Sequence, residues 1–336
     1  MTPNEITLLE RFCAWKEHNS GAAPATVRKY RRHVVLAFEH LRSVGVEPLA
    51  ASADDLELYV GPELHKAGQS GNSRRVAVAA LRTFFAYAAA HRVISLNPAA
   101  SLSWPRQARS LPHAMPEQYA EALMWAPDLD TFVGVRDAAI LGVFVGCGIR
   151  RSGLIAMNQE DLLFSRGEQG EELVIRVREK GGHERLVPVP DVVRLMIRAY
   201  LGHRELAAID RRTETGARVL FVSTANRMVP PHQYVGENRR LSNGAINDMV
   251  VRYAAKAGVP REYAHPHALR HLYGKELAEA DINLLVHQRL MGHRDVKSTE
   301  IYSHIADRRL RKAIDQASPF KRIRSPFSDL ADQARR

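Results

Sequence analysis

Residues 96 to 116, LNPAASLSWPRQARSLPHAMP, hold four prolines and several serines and show no sustained hydrophobic period. Proline fixes its own φ and drives its predecessor out of the helical region, so a chain cannot carry one helix through such a stretch. Helical patterns lie on both sides of it. The stretch is a linker, and the domain boundary falls near residue 105. The length of 336 residues agrees, since one domain takes roughly 150 residues.

Before the linker the segment TVRKYRRHVVLAFEHLRSVG repeats Tyr30, Val34, Ala37, Phe38 and Leu41 at helical spacing. Thr26 is placed to cap that helix and Gly45 to stop it. ADDLELYVGPELH reads as a shorter helix ended by its Gly-Pro step. SRRVAVAALRTFFAYAAAHRV is alanine-rich and helical, and Arg74, Arg75 and Arg82 can lie off its apolar stripe, as a solvated face or as DNA contacts.

After the linker, the glycine-interrupted apolar run Ala138–Ile149 has 12 residues. That is too short to span a bilayer and reads as a buried core helix. Further on, Leu173-Val174-Ile175 and Leu186-Val187-Pro188-Val189 flank EKGGHER, with Gly181 and Gly182 in the turn. Two β-rich runs around a glycine pair predict a β-hairpin. From Pro190 the pattern is again mainly helical. From Asp307 to Arg336 nine Lys and Arg face four Asp and Glu, with two Ser-Pro steps, which predicts a helix giving way to a basic tail.

Charge bears on the partner. The chain holds 48 Lys and Arg against 37 Asp and Glu, a formal charge of +11. Such a balance favours an anionic partner, nucleic acid above all. Residues 1–105 carry 12 of the bases and 9 of the acids, so most of the excess lies beyond them. Two distant cysteines, Cys13 and Cys147, with no CxxC, argue against a disulfide framework or a cysteine zinc cluster and fit a reducing cytoplasm. The N-terminus has no basic-then-apolar signal pattern. A soluble intracellular protein, without membrane attachment, is expected.

HPHALRH, residues 265 to 271, concentrates three imidazoles and a guanidinium. His267 and His271 have the i, i+4 spacing of a zinc helix, but Ala268 stands where such a site needs its Glu, and Arg270 lies between the two histidines. Phosphate explains the cluster better: arginine offers planar paired donors, and histidine adds a donor or moves a proton.

Three further segments, in order, change what HALRH means. GIRRSGL places Arg150 after the apolar helix, EKGGHERLVP places Lys180 on the hairpin, and MGHRDVKSTEIYSH places His293 and Tyr302. Together they make the chain resemble the tyrosine recombinase/integrase family, of the phage integrase and Xer kind, over nearly its whole length. The resemblance implies a helical, SAM-like core-binding domain over 1–105, a linker over 106–116, a catalytic domain over 117–312 that is mainly α with a small β-sheet, and a basic tail over 313–336. That tail would either dock on a neighbouring protomer through Pro319-Phe320 and Pro326-Phe327 or stay solvated. It implies a C-shaped clamp on double-stranded DNA, and a homotetramer on two sites. The implied catalytic set is Arg150, Lys180, His267, Arg270, His293 and the nucleophile Tyr302, with no cofactor and no metal.

Departures from the family's pattern are Gly153 for a usual Glu, Glu179 for a usual Gly and His183 for a usual base. His271 is expected as a core or supporting histidine, His265 at the start of its helix, and Cys147 in the core. A type IB topoisomerase, or a catalytically silent DNA-binding protein, is the alternative function.

Overall fold

The computed structural model describes residues 1–106, 115–167, 170–178, 184–280, 286, 290–291, 314 and 317–328. The chain divides into two compact units, Met1–Leu111 and Pro112–Arg336.

The first unit is helical throughout: α1 (Pro3–His18), α2 (Pro24–Ser43), α3 (Ala53–Leu58), α4 (Leu64–Lys66) and α5 (Gly71–Ala90). Thr2 and Glu5 close a capping box at the start of α1. Glu5 is itself buried and accepts from the Arg42 guanidinium with both oxygens at 2.7 Å, which ties α1 to the end of α2. Phe84 is the centre of the core, set edge-on to Phe12, Phe38 and Phe85 with centroids 5.4–5.5 Å apart.

Two local expectations are corrected here. Helix α2 starts at Pro24 with Ala23 as its cap, and Thr26 lies inside the first turn. Proline at the first helical position has no N–H to leave unpaired, so it sets the start ahead of a threonine. The Gly-Pro step does not end the next helix either. The chain passes from α3 to α4 through a π-helical turn, Tyr59–Glu63, with Pro62 inside it. The wider turn makes room for the proline ring and its missing donor.

The second unit is built around α7 (Phe132–Cys147), preceded by α6 (Glu117–Trp125). The apolar run does form a core helix: every residue of α7 except Val133 is buried. It is followed by α8 (Arg151–Ala156), β1 (Leu162–Gly167), β2 (Gly170–Arg178) and β3 (Glu184–Pro188). After the strands come α9 (Asp191–Leu201), α10 (Arg204–Ala207), α11 (Asn243–Lys256) and α12 (Pro266–Glu279).

The sheet is antiparallel in the order β1-β2-β3. The predicted hairpin is β2 and β3, paired from Val174 opposite Pro188 to Arg178 opposite Glu184. Strand β1 carries no period-2 alternation in its burial and was not expected from the sequence. Pairing with β2, from Leu162 opposite Ile175 to Gly167 opposite Gly170, makes it a strand.

A close approach fixes α9 on α7. A Cβ at Gly146 would lie 2.7 Å from Val193 and 3.1 Å from the Phe320 ring. Below them Asp137, fully buried, accepts from Arg136 and Arg252 and from the Tyr253 hydroxyl, while Arg136 also donates to the Val222 carbonyl at 2.7 Å. A buried carboxylate with this many donors is satisfied in place.

The basic end of the chain packs on its own unit where it is described. Ile323 and Phe327 are buried, and Phe320 meets α7. Arg322 donates to Glu117 at 2.9 Å and lies 3.4 Å from Glu276 and 3.7 Å from Glu279.

Candidate active site

The end of α7 is the starting point. Gly148 closes the helix in the left-handed region, φ 56° and ψ 29°, with its N–H on the Phe144 carbonyl at 3.2 Å. Glycine is needed twice over there: for the dihedral, and because a Cβ would fall 2.1 Å from the Tyr273 ring. The reversal lets Ile149 return to the core and puts Arg150, half-buried, at the N-cap of α8.

Helix α12 supplies the second arginine. The His265 imidazole caps it, accepting from the Ala268 N–H at 3.1 Å, and Pro266 takes the first turn. Arg270 is buried, 7% exposed, and its guanidinium donates to the carbonyls of Gly148 and Met291. One side chain thus joins the cap of α7, two residues before Arg150, to the chain two residues before His293. Arginine suits this bridging, since its planar fork donates in two directions at once.

His267, His271 and Lys275 form the exposed stripe of α12, four residues apart, while Arg270 lies behind it with the buried positions. His267 has a pKa below the usual imidazole value, through partial desolvation and then the positive fields of Arg151 and its neighbouring histidines. A neutral imidazole is the form that can take up a proton. His271 is exposed, which corrects the core half of the expectation for it; the helical period from His267 carries it to solvent. Cys147 is fully buried as expected, and burial pushes its thiol up to about 12. The Tyr273 hydroxyl is buried with no partner among the described residues, and burial raises its pKa too.

Strand β3 brings in a side chain that the sequence reading passed over. Arg185 donates to the Leu290 carbonyl at 2.6 Å. A signal for it existed: Arg185 shares the strand face of Val187 and stands opposite Val177, both buried. A charged residue on the core side of a sheet needs a partner.

Of the expected catalytic set, Arg150, His267 and Arg270 are brought to one end of α7. Lys180, His293 and Tyr302 lie outside the described residues. Gly153 is buried, and a Cβ there would sit 3.1 Å from Val177 and 3.4 Å from Ile149. The place of the family's usual carboxylate is thus closed in by apolar side chains. In the first unit Arg74, Arg75 and Arg82 are half-buried. Arg75 donates to the Pro105 carbonyl at 3.0 Å and Arg82 to that of Leu102 at 3.4 Å. Both guanidiniums lie over the Trp104 ring, at 5.1 and 5.4 Å.

Among the described residues no three His, Cys, Asp or Glu side chains are grouped so that they could hold a metal ion. No helix among them is long and apolar enough to cross a membrane.

The larger unit sets a three-stranded antiparallel sheet beside a buried helix that ends in an arginine-bearing reversal, and the chain carries a second, all-helical unit. The Phage integrase family matches residues 114–309, and the Phage integrase, N-terminal SAM-like domain matches residues 9–92. The chain belongs to the phage integrase family of tyrosine site-specific recombinases. It is 28% identical to Tyrosine recombinase XerD of Proteus mirabilis over 314 residues, 93% of each chain. It is 30% identical to Tyrosine recombinase XerC of Thermodesulfovibrio yellowstonii over 302 residues, 90% of this chain and 93% of that one.

Two solved structures share its fold. One is XerH site-specific recombinase bound to palindromic difH substrate, in a post-cleavage complex, with TM-score 0.62, 20% identity and coverage of 91% and 82%. The other is a lambda integrase (75-356) dimer bound to a COC' core site, with TM-score 0.60, 17% identity and coverage of 90% and 100%.

Proposed function

We propose that the protein cuts and rejoins DNA at a specific site through a covalent phosphotyrosyl intermediate. The observation that supports this most is the bridging Arg270. It holds the reversal that leads to Arg150 and the segment that leads to His293 at a fixed spacing. The Tyr302 phenol attacks phosphorus, the P–O5′ bond breaks, and a 3′-phosphotyrosyl ester and a free 5′-hydroxyl result. Arg150, Arg270 and His293 donate to the non-bridging oxygens as charge builds, each such donor contributing ~3 kcal/mol. Lys180 protonates the leaving 5′-oxygen, and His267, neutral, takes the phenol's proton. The ester keeps the phosphodiester's free energy, so a second 5′-hydroxyl reseals the strand with neither ATP nor metal.

In this reading residues 1–105 bind the core of the site, 106–116 link, 117–312 catalyse, and 313–336 form the tail. Arg74, Arg75 and Arg82 contact DNA, and four copies act on two duplexes in the cytoplasm.

The test needs no known site. Cells expressing the protein are lysed in denaturing detergent and the DNA attached to it is sequenced, with Tyr302→Phe beside it. Adducts in the parent alone support the reading, and nicked duplexes with the recovered sequence must then exchange strands in EDTA without nucleotide. Relaxation of supercoils without exchange would instead mark a topoisomerase. Equal backgrounds in cells and on duplexes from the gene's own neighbourhood, with binding intact, would mark a silent DNA-binding protein.

A further inference from the structure

Arg185 occupies a position that a strand normally gives to an apolar residue. It stands opposite Val177, with Ile175 and Val187 as the next pair, and all three neighbours are buried. Its guanidinium reaches the Leu290 carbonyl at 2.6 Å. The next carbonyl along, that of Met291, is taken by Arg270, whose other arm holds Gly148. Two guanidiniums therefore grip successive carbonyls of one short stretch. Among the described strands β3 is an edge, paired only with β2. The Leu290 bond is thus a tie from this edge strand to the end of the molecule where Arg270 sits.

We propose that Arg185 is a positioning residue for Lys180, anchoring the root of the β2–β3 hairpin to the backbone that Arg270 also holds. The inference rests on the proposed role of Lys180 as the general acid. Lys180 lies five residues before Arg185, between the last register pair, Arg178 and Glu184. A general acid has to come within about 3 Å of the oxygen it protonates. A displacement of ~1 Å in such a group can cost on the order of a hundredfold in rate. With the Leu290 tie lost, the start of β3 loses a link to the stretch that Arg270 also holds, and the proposed general acid, five residues earlier in the chain, is positioned less tightly.

A leaving group that needs no proton isolates this effect. Nicked duplexes with the sequence recovered from the adducts are made with an ordinary 5′-oxygen or with a bridging 5′-sulfur at the scissile phosphate. Single-turnover cleavage is measured for the parent, Lys180→Ala, Arg185→Gln and Arg185→Lys. Lys180→Ala should lose about a hundredfold on oxygen and recover on sulfur. Arg185→Gln should lose roughly tenfold on oxygen and less than about twofold on sulfur, with Arg185→Lys between it and the parent.

An Arg185→Gln protein that is equally slow on both substrates, while Lys180→Ala recovers, overturns the proposal and leaves Arg185 as a packing residue. Failure of Lys180→Ala itself to recover would sink the general-acid role instead. The tie is also read without DNA, by amide hydrogen exchange of the whole protein. Arg185→Gln should speed exchange in β3 and in residues 286–291 several-fold and leave α9 and α11 as in the parent. No change in either stretch, or an equal rise everywhere, counts against the anchor.

Discussion

Arginines carry the structure of both units, yet they are used differently in each. In the helical unit Arg75 and Arg82 are half-buried, donate to the carbonyls of Pro105 and Leu102, and cover the Trp104 ring. In the larger unit Arg270 is buried and holds two carbonyls far apart in sequence. A half-exposed guanidinium over a ring can exchange a carbonyl for a phosphate at small cost, because water covers the change. A buried one cannot leave without stranding its acceptors. The first kind suits tracking a duplex, the second holding a fixed geometry.

The strongest way to break that comparison is to remove the buried guanidinium. Arg270→Ala should abolish cleavage and destabilise the larger unit, at roughly 1–3 kcal/mol for each carbonyl that loses its donor. Arg270→Lys keeps the charge but cannot span both carbonyls. It should fold, bind DNA, and cleave some hundred- to a thousandfold more slowly, the range seen when one oxyanion donor is lost. Urea unfolding and single-turnover cleavage separate the two effects. A lysine variant with the parent's rate would show that the bridging geometry is dispensable.

Gly148→Ala attacks the acceptor. The left-handed φ costs on the order of 1 kcal/mol for a non-glycine residue. The 2.1 Å approach to Tyr273 adds an overpacking cost of about 1–3 kcal/mol. The midpoint of thermal unfolding should fall by several degrees, and cleavage should fall with it, because the reversal sets both Arg150 and the carbonyl that Arg270 holds. Unchanged stability would mean that Tyr273 moves aside freely.

A third use of arginine, on carboxylates, gives a pH signature. Arg322 lies among Glu117, Glu276 and Glu279 at the docked end of the chain. Burial, and then the two other glutamates, hold the Glu276 pKa above the usual carboxylate value, although Arg322 opposes this. The folded state therefore binds the Glu276 proton more tightly than the unfolded chain does. Its contribution is fully present below the unfolded value, near 4.5, and is lost as pH rises through the raised one. Glu276→Gln should flatten that fall, so that stability declines less on going from mildly acid to neutral pH. Denaturant midpoints at a series of pH values measure it; a parent-like slope in the variant would assign the titration elsewhere.

How much of this could be read in the sequence follows the range of the forces involved. The buried α7 and the pairing of β2 with β3 were legible, since an apolar run and two β-rich runs close together in sequence act within a few residues. HALRH and GIRRSGL pointed to Arg270 and Arg150 because the motif fixes the residue type. The partners were not legible. Nothing local says that Arg270 holds Gly148, that Arg185 reaches Leu290, or that α12 turns His271 outward. Strand β1 and the packing of Phe320 and Ile323 likewise depend on surfaces brought together only in the folded unit. Thr26 failed because a proline ahead of it competed for the same helix start.

The smallest expected effect tests the half-exposed side of the comparison. Arg75→Ala and Arg82→Ala each remove one carbonyl bond and one contact with Trp104, so each should cost about 1 kcal/mol or less of stability. On DNA the two kinds of arginine should part company. If Arg75 and Arg82 exchange their carbonyls for phosphates, each substitution should weaken binding alike on specific and random duplexes. Each should also lower the slope of log affinity against log salt by about one. Cleavage of bound DNA under single turnover should stay at the parent's rate, in contrast to Arg270→Lys. A salt slope equal to the parent's would confine these two arginines to holding the Leu102–Pro105 segment on α5, and the first unit would then have to track DNA with other cations, such as the exposed Arg28, Lys29, Arg31 and Arg32 of α2.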